Sequence, residues 1–151
     1  MPAQRLKQYL DQQGVKYRVI THSPAFTAQD VAESAHIPGS VMAKVVIVTL
    51  DDQMTMIVVP APKRIHTDSL AQALSAKAAT LLHENDFREQ FPDCEVGALP
   101  PFGNLYHMPV YIDAELAHQQ EIVFSAGSYR ELFSLPTKDY LRLVQPKTFA
   151  D

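Results

Sequence analysis

Cysteine is nearly missing from this chain: Cys94 is the only one among 151 residues. No internal disulfide is available, and a reducing cytoplasm fits best. No stretch approaches the roughly 18 apolar residues that span a bilayer, and "MPAQRLKQYL" has no apolar signal core, so no membrane insertion or export is expected. The phosphate-cradling patterns G-x-x-x-x-G-K-[ST] and G-x-G-x-x-G are absent, as is the G-x-S-x-G elbow of many hydrolases. The six histidines show no H-x-x-x-H pair, so with one cysteine no zinc site is expected. A general nucleic-acid binder normally carries a basic footprint; here 13 basic residues face 17 acidic ones, for a net charge of −4. The charge is uneven, however. Arg5, Lys7, Lys16 and Arg18 make the N-terminal end locally basic, while Glu84, Asp86, Glu89, Asp93 and Glu95 form an acidic stretch. The basic end is suited to a polyanion that only grazes the protein.

What is present is an ordinary globular pattern, with 46% hydrophobic and 20% charged residues. Leu6, Tyr9, Leu10 and Gln13 keep helical spacing before Gly14, which predicts a helix over 3–13. "KYRVIT" alternates as a strand. Thr27 is placed to cap a short helix "AQDVAESA", and "IPG" is a turn. Residues 43–50 and 53–59 read as two strands joined at Asp51-Asp52 in a hairpin. A proline-rich connector "PAPKRIH" leads to a helix capped at Thr67, carrying Leu70, Ala73 and Leu74. "HENDFREQF" is a short helix stopped by Pro92, and "CEVGALPPFGN" is a stiffened loop. "MPVYID" and "EIVFSAG" are strands around a short helix or turn "AELAHQ". A strand "YRELFSL" and a final helix in "PTKDYLRL" complete the chain. Helices and strands interleave irregularly with a hairpin, so the expected fold is a mixed-sheet α/β or α+β unit, a single domain over 1–151.

Two features invite chemistry. Lys44 stands at the mouth of an apolar, β-branched run, Val45 to Val48, where a core strand begins. "GALPPFG", Gly97 to Gly103, combines two prolines that restrict the backbone with glycines that permit unusual conformations. Such a segment can point the amides of Gly97, Ala98, Leu99, Phe102 and Gly103 into a pocket; Pro100 and Pro101 have none to donate. A row of amides beside a lysine is suited to an anion or a carbonyl oxygen. Cys94, between Asp93 and Glu95, is expected to be structural, because neighbouring carboxylates oppose a thiolate.

The ordered set "FTAQDVAESAHIPGSVMAKVVIV", "VVPAPKRIHTDSLAQAL", "VGALPPFG" and "EIVFSAGSYRELFSL" resembles the YbaK/ProX family of free-standing aminoacyl-tRNA editing domains, from about Lys16 to Leu143. These are similar to the insertion domain of bacterial prolyl-tRNA synthetase. The resemblance implies a central mixed, partly barrel-like sheet surrounded by short helices. It also implies hydrolysis, in trans, of the ester joining a small amino acid to the 3′ end of a mischarged tRNA. A hydroxyl of the terminal ribose would assist, and no metal or cofactor is implied. A synthetase is a candidate partner. The family's lysine falls on Lys44, its glycine-proline loop on Gly97–Gly103, and its serine/glycine strand end on Ser125, Ala126 and Gly127. Val45 stands where many members carry a small polar residue. The resemblance thus implies Lys44, Gly97, Ala98 and Leu99 as catalytic residues, and Phe26, Thr27, Met42, Val45, Val46, Pro100, Pro101, Phe102, Gly103, Ser125 and Gly127 as substrate-binding ones. The alternative is a non-catalytic module that holds tRNA ends or an aminoacyl-nucleotide beside a synthetase.

Overall fold

The computed structural model describes residues 4–21, 32, 37–95, 97–128 and 130–150. Helix α1 (Gln4–Gln12) leads to strand β1 (Arg18–Thr21). The expected helix "AQDVAESA", with Phe26 and Thr27 before it, lies outside the described residues apart from Ala32. Strands β2 (Ala43–Leu50) and β3 (Gln53–Pro60) form the expected antiparallel hairpin. Its tip, Asp51 and Asp52, has φ of 48° and 71°, the left-handed pair that a twisted two-residue turn needs and that Asp tolerates.

Helix α2 (Thr67–Ala73) follows, with His66 rather than Thr67 in the capping position; Thr67 is the first helical residue. Next come β4 (Ala79–Leu81), α3 (Glu84–Phe87) and a 3₁₀ turn over Arg88–Gln90. The glycine-proline loop ends in a second 3₁₀ turn, Gly103–Tyr106. Strand β5 (Val110–Asp113), helix α4 (Ala114–Ala117), strands β6 (Glu121–Ser125) and β7 (Glu131–Pro136), helix α5 (Thr137–Val144) and strand β8 (Lys147–Phe149) complete the order.

The mixed α/β class is as expected, but the strands divide between two sheets. One is antiparallel in the order β1-β7-β6; the other runs β4-β2-β3-β5-β8, with β5 parallel to both β3 and β8. A parallel bridge between Met42 and Val123 joins them. Strands β4 and β8 escape the sequence reading because three residues carry no measurable period. They become strands by adding to edges of the larger sheet. Asp51 helps dock β4, since its carboxylate accepts the Lys77 and Ala78 amides, each at 2.9 Å.

The main core takes side chains from both sheets and from α1 and α5, including Leu10, Ile47, Met56, Ile112, Phe124, Phe133 and Tyr140. A second layer, Val48, Ile57, Val59, Leu70 and Phe149, fills the other side of the larger sheet under α2. The basic N-terminal end is partly committed within the protein: Lys7 reaches Glu131 at 3.5 Å and Arg18 reaches Glu121 at 3.3 Å. Such exposed pairs contribute at most about 1 kcal/mol.

Gly103 starts the second 3₁₀ turn where a Cβ would lie 2.6 Å from Val110 Cγ2 and 2.8 Å from the Met108 carbonyl oxygen. Gly103→Ala should therefore lower unfolding stability by about 1–3 kcal/mol, the usual cost of overpacking. Urea denaturation checks this, and a loss below about 0.5 kcal/mol would show that the turn yields freely.

Candidate active site

Lys44 is the second residue of β2 and is half-buried. Side chains alternate along a strand, so Lys44 lies on the side of Val46 and Val48, while Ala43, Val45 and Ile47 join the main core. Val45, expected at the pocket, is thus turned away from the ammonium by the pleat. The Lys44 ammonium donates to the backbone carbonyl of Lys63, in the turn that follows β3. The Lys63 ammonium in turn pairs with the buried carboxylate of Asp113, the last residue of β5. The other Asp113 oxygen accepts the Glu115 amide at 2.9 Å and caps α4. Burial, followed by repulsion from Arg64, pulls the pKa of Lys44 below the ordinary lysine range. Among the described residues no carboxylate pairs with Lys44.

The glycine-proline loop is fastened from three sides. Gly127 donates its amide to the Ala98 carbonyl at 2.8 Å, and its own carbonyl accepts the Glu95 amide at 2.7 Å. Gly127 has φ of 87°, a region costly for residues with a Cβ. Tyr140, wholly buried in α5, donates its hydroxyl to the Pro101 carbonyl at 2.6 Å. The Phe102 ring packs against Phe124 and Tyr140, with centroids 5.4 and 5.3 Å apart. Each such aromatic pair adds about 0.5–1.5 kcal/mol beyond burial.

These anchors revise the expected amide row. The Ala98 amide closes a turn onto the Glu95 carbonyl at 3.1 Å, so it is already committed. The Gly97 and Leu99 amides have no acceptor among the described residues. Gly97 is exposed, whereas Ala98 to Gly103 are buried. Phe102 and Met42 are fully buried and offer no surface to an open pocket: Phe102 belongs to the aromatic core, and Met42 packs with Ala61, Val123 and Leu132 where the sheets meet. Val46 packs partly into the layer under α2.

Strand β6 links the two features. The bridge makes β2 and β6 run the same way from Met42 and Val123, so Lys44 and Ser125 each stand two residues beyond it. Two residues after Ser125, Gly127 grips the loop at Ala98. Lys44 and the loop make no hydrogen bond with one another. A groove of about 690 Å³, lined by Lys16, Tyr17, Arg18, Glu121, Ser134 and Pro136 among others, contains none of the expected site residues.

The sequence pattern of the aminoacyl-tRNA editing domain family matches residues 22–143. The chain belongs to the aminoacyl-tRNA editing domain family. Among its relatives is the multifunctional Ser/Thr-tRNA deacylase ProXp-y of Escherichia coli, 28% identical over 149 residues, which span 95% of this chain and 89% of that protein. Among solved structures, the hypothetical protein APE2540 superposes with a TM-score of 0.84 at 18% identity, covering 98% of each chain. A candidate trans-editing enzyme for prolyl tRNA synthetase superposes with a TM-score of 0.80 at 19% identity, covering 99% of this chain and 96% of the other. At such identities these two structures establish the fold of the editing domain.

Sequence reasoning missed Asp113, Lys63 and Tyr140 as supports of this editing domain. Asp113 carried a usable signal, an Asp directly before "AELA" in the capping position. Lys63 and Tyr140 carried none, because their partners are remote in sequence.

Cys94 behaves as expected, for a broader reason. Its thiol is pushed up to about 12, mainly by burial, with Asp93 adding to this and the Tyr106 hydroxyl opposing it. Cys94 Sγ lies 3.4 Å from Tyr106 Oη. A thiol protonated at neutral pH is a poor nucleophile, so iodoacetamide at pH 7.5 should leave the native protein unmodified and alkylate it only after denaturation. Rapid native alkylation, followed by mass, would contradict the assignment.

Proposed function

We propose that the protein is a trans-acting aminoacyl-tRNA deacylase whose reaction is supported by the half-buried, carboxylate-free ammonium of Lys44. The reaction adds water to the ester carbonyl, passes through a tetrahedral oxyanion and releases a free amino acid and a tRNA 3′ end with its hydroxyl restored. An aminoacyl ester is already activated, so positioning and charge stabilisation account for most of the help it needs.

Lys44 acts as a fixed cation. A half-buried charge without a carboxylate carries a desolvation cost that an arriving anion relieves, and that anion is the developing oxyanion or the terminal phosphate. The Gly97 and Leu99 amides are the donors for the carbonyl oxygen or the attacking water; a well-placed donor of this kind typically contributes about 2.7–4 kcal/mol. A hydroxyl of the terminal ribose takes the place of a protein base. Gly127 sets the loop beside the end of β6, and Ser125 carries no nucleophilic role.

The Ser/Thr-tRNA deacylase named among the relatives favours small hydroxylated amino acids as those removed. The likeness to a trans-editing structure favours action beside a synthetase, in the cytoplasm where charged tRNA is used. Among the described residues no helix is long and apolar enough to cross a membrane.

A deacylation panel over alanine, serine, threonine and cysteine esters of tRNA should show serine and threonine released fastest. Lys44→Ala should lower that release at least about a hundredfold with an unchanged circular dichroism spectrum. Wild-type rates in that variant would refute the role of Lys44; tRNA binding without turnover in the unmodified protein would refute the activity. Because the pKa of Lys44 is lowered, the active cation is lost as pH rises through a value beneath the ordinary lysine range. Background-corrected activity should therefore fall on the alkaline side while Lys44→Ala stays flat.

A further inference from the structure

Lys44 rests on a carbonyl that is itself held in place. That carbonyl belongs to Lys63, in the turn that leaves β3, where the Lys63 amide also donates to Pro60 at 3.0 Å. The turn is a short proline-containing connector between β3 and α2, held at its start by the buried Ala61, whose amide donates to the Met42 carbonyl at 2.8 Å. Further along, the Lys63 side chain ties it to β5: it crosses to the Asp113 carboxylate and lies 5.8 Å from the centre of the Phe149 ring. Asp113 is an unusual place for a charge: its side chain is 2% exposed, at the end of an interior strand, between β3 and β8. Its second oxygen is fixed by the Glu115 amide, so the carboxylate is oriented by the backbone and cannot rotate away with Lys63.

We propose that the Lys63–Asp113 pair is a positioning unit for Lys44, tying the turn to β5 so that one backbone carbonyl holds the ammonium at its working place. The chain of contacts runs from the α4 cap through Asp113 and Lys63 to Lys44. All three of its links are charge-assisted, and none needs a motif. Among the described residues, the charged groups nearest Lys44 in this chain of contacts are Lys63 and Arg64 from the connector and Asp113 from β5; its β3 neighbour, Val59, is apolar. The pair keeps the Lys63 cation neutralised and directed away from Lys44, leaving Arg64 as the nearby uncompensated charge. This inference rests on the reading that Lys44 acts in deacylation.

The decisive variant is the double substitution Lys63→Met with Asp113→Asn, because removing both charges leaves no unpaired buried ion. Lys63→Met alone retains the carbonyl that Lys44 uses, and Lys63→Arg is the conservative rescue. The first measurement is the titration of Lys44 by NMR of the lysine side chains, read without substrate. The second is single-turnover deacylation of Ser-tRNA, with rate and apparent affinity separated. With the turn released, Lys44 should move into water and titrate within the ordinary lysine range. The deacylation rate should fall at least tenfold with apparent affinity changed less than threefold, and Lys63→Arg should recover most of the rate. A folded double variant with unchanged Lys44 titration and rate would overturn the proposal. So would a loss of rate that matches the unfolded fraction. A shifted titration in the double variant, together with full activity in Lys44→Ala, would uphold the positioning unit and refute instead the catalytic reading on which it was built.

Discussion

A parallel bridge between Met42 and Val123 joins two sheets that otherwise build separate ladders. Its surroundings show why it is placed there. The Met42 carbonyl accepts the Ala61 amide at 2.8 Å, and the Val41 carbonyl accepts the Val123 amide at 3.0 Å. Met42, Ala61, Val123 and Leu132 then exclude water from the junction. Backbone groups buried in this way must be paired or cost free energy, so the crossing is fixed in register. That register sets Lys44 in step with Ser125 and brings Gly127 to the glycine-proline loop. A one-residue slip would turn Lys44 into the main core and Val45 toward the Lys63 carbonyl.

The sequence displays the larger pieces of this arrangement because they are regular over many residues. The β2–β3 hairpin shows in two apolar runs around Asp51-Asp52, α1 shows in its helical spacing, and α5 shows in its Pro-Thr start. Lys44 is conspicuous because a charge interrupts the start of such a run. Less legible were the relationships across the fold. Val45 lies beside Lys44 in the sequence but on the other side of the sheet. Phe102 stands in a loop yet forms part of the aromatic core with Tyr140 and Phe124. Lys63 and Asp113 come from separate elements, and only the parallel β3–β5 pairing brings those elements together. Short edge strands such as β4 and β8 are defined by their partners rather than by their own residues.

The editing site follows an economy common where substrates arrive activated. Cys94 is protonated and structural, and Ser125 ends a strand that holds the loop. In the proposed reaction the protein contributes the Lys44 cation and a stiff loop whose Gly97 and Leu99 amides have no acceptor among the described residues. Rigid support matters here because electrostatic assistance depends on where the donors already stand when charge develops. Tyr140, the aromatic pairs around Phe102 and the Lys63–Asp113 pair are all supports of this kind.

The central claim is that Lys44 and the Gly97 and Leu99 amides address the same charged tRNA 3′ end. Its most direct measurement is an amide-resolved NMR titration with 3′-seryl-amino-adenosine, a non-hydrolysable mimic of the charged tRNA end. The account predicts saturable shifts at the Gly97 and Leu99 amides and at the Lys44 side chain, all following one binding curve. Shifts confined to the groove at Lys16–Arg18 and Pro136, with Gly97, Leu99 and Lys44 unmoved, would contradict it.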